Sequence, residues 1–154
     1  MRFSRDVTGI PVIHAQSGKE LGRVREWLLD GKGEYMLAFL VEGVGWLPQT
    51  KIIPFGQVVG LGDDAVIVHY DEAQLSQQDT VRREDTCSVL GKRVLNSAGN
   101  EIGVVEDMLF DESSGRVAGW RLSSGLIEDL LSGRQVLELP TPLTMGEDVL
   151  IIRD

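Results

Sequence analysis

Two carboxylates stand out because they occupy matching places in a duplicated pattern, Glu26 in one copy and Asp107 in the other. Paired carboxylates can serve general acid–base chemistry when a second group converges on them. No such partner is visible in the sequence, so each acid is expected to be structural. It would accept backbone N–H groups or sit at a bulge, because an unpaired buried carboxylate is costly. A catalytic or ligand-binding pocket built on Glu26 or Asp107 is the alternative. His14, His69 and Cys87 are the strongest soft-metal ligands, and no pair has zinc-site spacing. Glu106, Asp107, Asp111 and Glu112 cluster, but lack the alternation and central glycine of a calcium loop. Gly60-Leu61-Gly62 has the spacing of a phosphate-loop fragment, yet Asp63 and Asp64 follow and would repel phosphate. There is no Gly-x-Ser-x-Gly, and Cys87 has no neighbouring His. These residues imply no catalytic site, no metal and no cofactor.

The elements that must position these residues come from an internal repeat. Val12 to Asp30 recurs as Arg93 to Asp111 at a constant offset of 81 residues. Gly18, Glu20, Gly22, Val24, Leu28 and Asp30 return as Gly99, Glu101, Gly103, Val105, Leu109 and Asp111. The endings answer each other as well: Gly62-Asp63-Asp64-Ala65-Val66-Ile67-Val68 against Gly146-Glu147-Asp148-Val149-Leu150-Ile151-Ile152, and Pro54 against Pro140. Short apolar runs are punctuated by Ser17-Gly18, Gly31-Lys32-Gly33, Ala98-Gly99-Asn100 and Ser113-Ser114-Gly115, which are turn clusters at hairpin spacing. The expectation is a mainly β protein of two tandem small barrels, over 1–70 and 87–154. The polar stretch 71–86 would be a linker with a short helix over Glu72 to Gln78. A helical turn over Ile127 to Ser132 is expected in the second copy only.

Strand phase then assigns faces. Val24, Glu26 and Leu28 alternate in one register, as do Val105, Asp107 and Leu109, so both acids should face a core. Trp27, Leu29, Met108 and Phe110 fall on the opposite face. Apolar residues on both faces of a strand call for a second buried surface, formed by the other barrel or by a second copy of the chain in a homodimer. Trp120 reads as core. Trp46 and Leu47, in the Gly-rich stretch Glu42 to Gln49, are either a partner contact or a plug for their own barrel.

The repeated sentence resembles the PRC-barrel domain. The carrying features are a β run, a Ser-Gly or Ala-Gly turn, then Glu-Leu-Gly or Glu-Ile-Gly, a Val, an acid and an apolar pair ending in Asp. Ile53-Pro54-Phe55 through Gly62-Asp63-Asp64 to Val68 is similar to that domain's closing half. The family includes the cytoplasmic domain of the photosynthetic reaction-centre H subunit and the C-terminal domain of the ribosome maturation factor RimM. The resemblance implies two barrels and a habit of binding proteins, with a RimM-like accessory role in RNA processing, through a protein contact, as a further alternative.

Charge and composition bound the partners. The chain has 154 residues, 15 Lys+Arg and 24 Asp+Glu, for a net charge of −9. Residues 1–70 hold seven basic against eight acidic residues, a net of −1. Residues 71–154 hold eight against sixteen, a net of −8. That acidity disfavours direct nucleic-acid binding, which depends on neutralising phosphates. One cysteine permits no intrachain disulfide and fits a cytoplasmic setting. No signal peptide is recognisable. The longest apolar run, Tyr35 to Val41, is far below the ~20 residues that span a bilayer, so no transmembrane segment is expected. The expected partner is another protein, its identity unknown.

Overall fold

The structure, a computed structural model, describes residues 1–43, 49–70, 80–123, 135–138 and 143–153. It is mainly β. The first copy holds β2 (Pro11–His14), β3 (Glu20–Leu29), β4 (Met36–Glu42), β5 (Thr50–Pro54), β6 (Val58–Leu61) and β7 (Val66–Val68). They form one sheet in the order β5-β4-β3-β2-β7-β6. The second copy repeats this with β8 (Arg93–Asn96), β9 (Glu101–Phe110), β10 (Val117–Ser123), β11 (Gln135–Glu138), β12 (Leu143–Met145) and β13 (Val149–Ile152), ordered β11-β10-β9-β8-β13-β12. Each sheet contains one parallel pair, β2 with β7 and β8 with β13. Among the described residues the helical elements are single 3-10 turns at Ser4–Val7, Phe55–Gln57 and Arg83–Asp85. No helix among the described residues is long and apolar enough to cross a membrane.

The repeated residues explain the repeated geometry. Gly22 and Gly103 are each the third residue of a long hairpin strand. A Cβ on Gly22 would run into the Glu42 carbonyl of β4, and one on Gly103 would stand 3.2 Å from the Ser123 carbonyl oxygen. Asp30 and Asp111 directly follow those strands and open the turns. Asp30 Oδ1 accepts the Glu34 N–H at 2.8 Å, and Asp111 Oδ1 accepts the Ser113 and Ser114 N–H groups at 2.8 and 3.0 Å.

Strand phase must be corrected. Val24 pairs with Val41 but Glu26 pairs with Leu40, so Arg25 is an extra residue and β3 bulges there. Val24 does not share a face with Glu26 and Leu28. It joins Trp27 and Leu29 in the main core, while Leu28 turns to a smaller cluster with Ala38 and Leu40. The second copy repeats the device, because Arg121 pairs with Asp107 and Leu122 with Val105, leaving Glu106 over. Val105, Met108 and Phe110 then point together into the main core.

That core is continuous through both copies. Trp27 packs its ring 5.1 Å from Phe39 of its own barrel and 5.5 Å from Phe110 of the other, and Phe55 stands 6.4 Å from Phe110. Trp27, Leu29, Met108 and Phe110 are all buried, as is Trp120. The contact is isologous, as between the halves of a two-fold dimer. The Met36 N–H donates to the Gly115 carbonyl at 2.8 Å, and the Val117 N–H donates to the Glu34 carbonyl at 2.8 Å. Met36 and Val117 are 81 residues apart, as are Glu34 and Gly115. The axis passes between Tyr35 and Arg116, the equivalent residues that bridge across it.

Candidate functional site

The segments leading into the two barrels are exchanged. Residues Arg2–Phe3 (β1) pair with Phe110 and Leu109 of the second barrel, although the chain then runs into the first. Reciprocally, Cys87, which leads into the second barrel, bridges Leu29 of the first: each N–H donates to the other's carbonyl at 2.9 Å. Leu29 and Phe110 are repeat equivalents, so Cys87 stands where Arg2 stands. Sequence reading missed this exchange, since the leaders are short and their pairing is non-local.

Each leader brings a serine to the acid of the opposite barrel. Asp107 is 1% exposed. Its Oδ1 accepts the Ser4 hydroxyl at 2.7 Å, the Arg5 N–H at 3.0 Å and the Met108 N–H at 2.8 Å. Thr8 donates its hydroxyl to the Ser4 carbonyl at 2.6 Å and braces the turn. Glu26 is half-buried, accepts the Ser88 hydroxyl through Oε1, and meets Arg83 at 3.4 Å through Oε2. Both acids therefore clasp a leader to a bulged strand. The bulge turns each one outward onto that leader. The serines at 4 and 88, just ahead of each repeat, were the signal in the sequence.

The other candidates are scattered. His14 holds its own turn, with Nδ1 3.0 Å from Ser17 Oγ. The Cys87 thiol donates to the Asp30 carbonyl at 3.0 Å, and burial pushes its pKa up. Hydrogen bonds from the Ser113 hydroxyl and the Ser114 and Ser113 N–H groups hold Asp111 low, at about 2. Among the described residues, no group of three His, Cys, Asp or Glu side chains gathers as a metal site would require. Trp46 and Leu47, and the helical turns expected over 72–78 and 127–132, lie outside the described residues.

An open cleft of about 550 Å³ lies between the barrels on the side of the second leader. It is lined by Glu26, Arg83, Cys87, Ser88 and Lys92, together with Gly31 and the turn Met145-Gly146-Glu147. Lys92 Nζ reaches the Gly146 carbonyl at 3.4 Å. On the opposite side, Arg2 spans the equivalent gap. Its guanidinium donates to the Leu61 and Gly62 carbonyls at 3.0 Å each, and pairs with Asp63 at 3.1 Å and Glu112 at 3.6 Å.

Comparison with known families agrees with this duplication. The family model described as PRC-barrel domain matches residues 1–75 and again residues 84–153. No curated protein matches the chain.

Proposed function

The chain belongs to the PRC-barrel family, carried twice in tandem, and from that premise we propose that it is a non-catalytic protein-interaction module that helps assemble other proteins. What supports this reading above all is the state of the two carboxylates. Asp107 receives three donors on one oxygen, and Glu26 is held by Ser88 and Arg83. An acid fixed by the fold's own N–H and O–H groups is poorly placed to exchange a proton with a substrate. The apolar faces that suggested an interface are spent on the pairing of the barrels. A partner would therefore bind the outer surface, and Trp46 with Leu47 is its proposed anchor. The acidic second half favours a basic protein over nucleic acid. A cytoplasmic location fits the single thiol.

The test is affinity purification from the native cell of the wild-type chain and a Trp46→Ala, Leu47→Ala variant. The reading expects a protein recovered in stoichiometric amount with the wild type and lost with the variant, while circular dichroism stays unchanged. Equal recovery with both, or turnover of a small molecule abolished by Asp107→Asn, would refute it.

A further inference from the structure

The two sides of the pseudo-two-fold pair differ where Arg2 stands, and that difference bears on a ligand. On the first side, a barrel turn (Leu61, Gly62, Asp63) faces Glu112 in the opposite barrel's β9–β10 turn, with Arg2 between them. On the second side, the equivalent turn (Met145, Gly146, Glu147) faces Gly31, the repeat equivalent of Glu112. Cys87 takes the place of Arg2 there, as the pairings of Leu29 with Cys87 and Phe110 with Arg2 establish. The thiol is several atoms shorter than an arginine and turns back to the Asp30 carbonyl. The gap it leaves is the open cleft of about 550 Å³.

We propose that this cleft is a receptor for a guanidinium group, filled by an arginine side chain of a partner protein as Arg2 fills its counterpart. Met145 and Gly146 stand where Leu61 and Gly62 stand, the Gly146 carbonyl already meets a cation, Lys92, at 3.4 Å, and Glu147 recurs for Asp63. A planar guanidinium suits this arrangement, because it can donate to adjacent carbonyls and a carboxylate at once. The cations already present are accounted for. Arg83 is engaged with Glu26, and Lys92 holds the Gly146 carbonyl only at 3.4 Å, so an incoming guanidinium displaces it. The net charge of −8 over residues 71–154 favours the approach of a cation. The proposal deepens the assembly reading by naming the chemistry of the partner, yet it can be tested with no partner at all.

The experiment is a titration of the full-length 15N-labelled chain with N-acetylarginine amide, and in parallel with free arginine, n-butylammonium and inorganic phosphate at matched ionic strength. The expected result is saturable shifts at Gly31, Ser88, Gly146 and Glu147 with the arginine amide. Butylammonium and phosphate should give none that saturate. Free arginine binding as well as the amide would overturn assignment to a side chain within a polypeptide. Glu147→Gln should weaken binding about threefold, the size of a partly exposed ion pair. Lys92→Met should tighten binding, because it removes the competing cation, whereas an anion site would be weakened by that change. Cys87→Arg should abolish the shifts by filling the cleft. Arg2→Ala should create a second set at Leu61, Gly62, Asp63 and Glu112, independently of whether Cys87→Arg folds. Saturation by phosphate, weaker binding in Lys92→Met, or no saturable shift with the arginine amide would overturn the proposal. A negative titration would leave the assembly reading standing, since a partner could still dock at Trp46.

Discussion

Replacing Asp107 with leucine separates the clasp from ordinary packing. One oxygen, Oδ1, receives the Ser4 hydroxyl, the Arg5 N–H and the Met108 N–H. Leucine removes the acceptor from all three donors. Met108 keeps a weak alternative, since its N–H also approaches Ser4 Oγ at 3.3 Å. That strands the buried Ser4 hydroxyl, at about 1–3 kcal/mol, and the part-buried Arg5 N–H, at about 1 kcal/mol. Allowing for relaxation at the edge of the leader, Asp107→Leu should destabilise by about 2–4 kcal/mol. Asparagine keeps the Oδ1 acceptor, loses the charge and puts an NH2 group in place of Oδ2. Charge-assisted bonds are roughly twice as strong as neutral ones, so Asp107→Asn should cost about 1 kcal/mol. Urea unfolding followed by fluorescence of the buried Trp27 and Trp120 measures both variants. With a slope of about 2 kcal/mol/M, the leucine variant's midpoint should fall by about 1–2 M and the asparagine variant's by about 0.5 M. A double-mutant cycle with Ser4→Ala should be less than additive, because the two side chains lose one shared bond. If leucine costs no more than asparagine, or both cost under about 0.5 kcal/mol, the bonds to Asp107 do not hold the leader and the clasp is not a structural device.

Trp27→Ala should cost about 3–5 kcal/mol, because the indole packs between Phe39 and Phe110 in the core shared by both copies. By calorimetry, wild type and this variant should each unfold in one transition, and a variant that melts in two steps would show the barrels to be independent. Asp111, at about 2 against an ordinary 3.8, favours the folded chain above the ordinary value, and that preference is lost as pH falls through about 2. Carboxyl NMR should show its midpoint near 2, moving toward 3.8 in Ser113→Ala, and an unmoved midpoint would remove the hydroxyl as the cause.

The extent to which the fold was legible follows from which signals are local. The offset of 81 residues and the turn clusters at Gly31-Lys32-Gly33 and Ser113-Ser114-Gly115 are short-range, and they mark two copies of one β unit. The bulges at Arg25 and Glu106 are single extra residues, and alternation carries no mark of one. Each bulge reverses the phase of the strand beyond it, so Val24 and Trp27 share a core although three residues apart. The exchange of leaders was illegible for another reason. Arg2–Phe3 is two residues long, and its partner at Leu109–Phe110 lies more than a hundred residues away, so no periodicity announces it. The open cleft depends on the contrast of Arg2 with Cys87, which carries meaning only once the two are known to occupy equivalent places.

The central claim is that the two copies are locked face to face across a pseudo-two-fold axis. The amides of Met36 and Val117 report on it directly, because each donates across the axis, to Gly115 and Glu34 respectively. Native-state hydrogen exchange followed residue by residue should find both among the slowest amides, opening only with global unfolding and with equal free energies. Fast exchange at both, with slow exchange retained within β3 and β9, would mean that each barrel stands alone and that the axis does not exist.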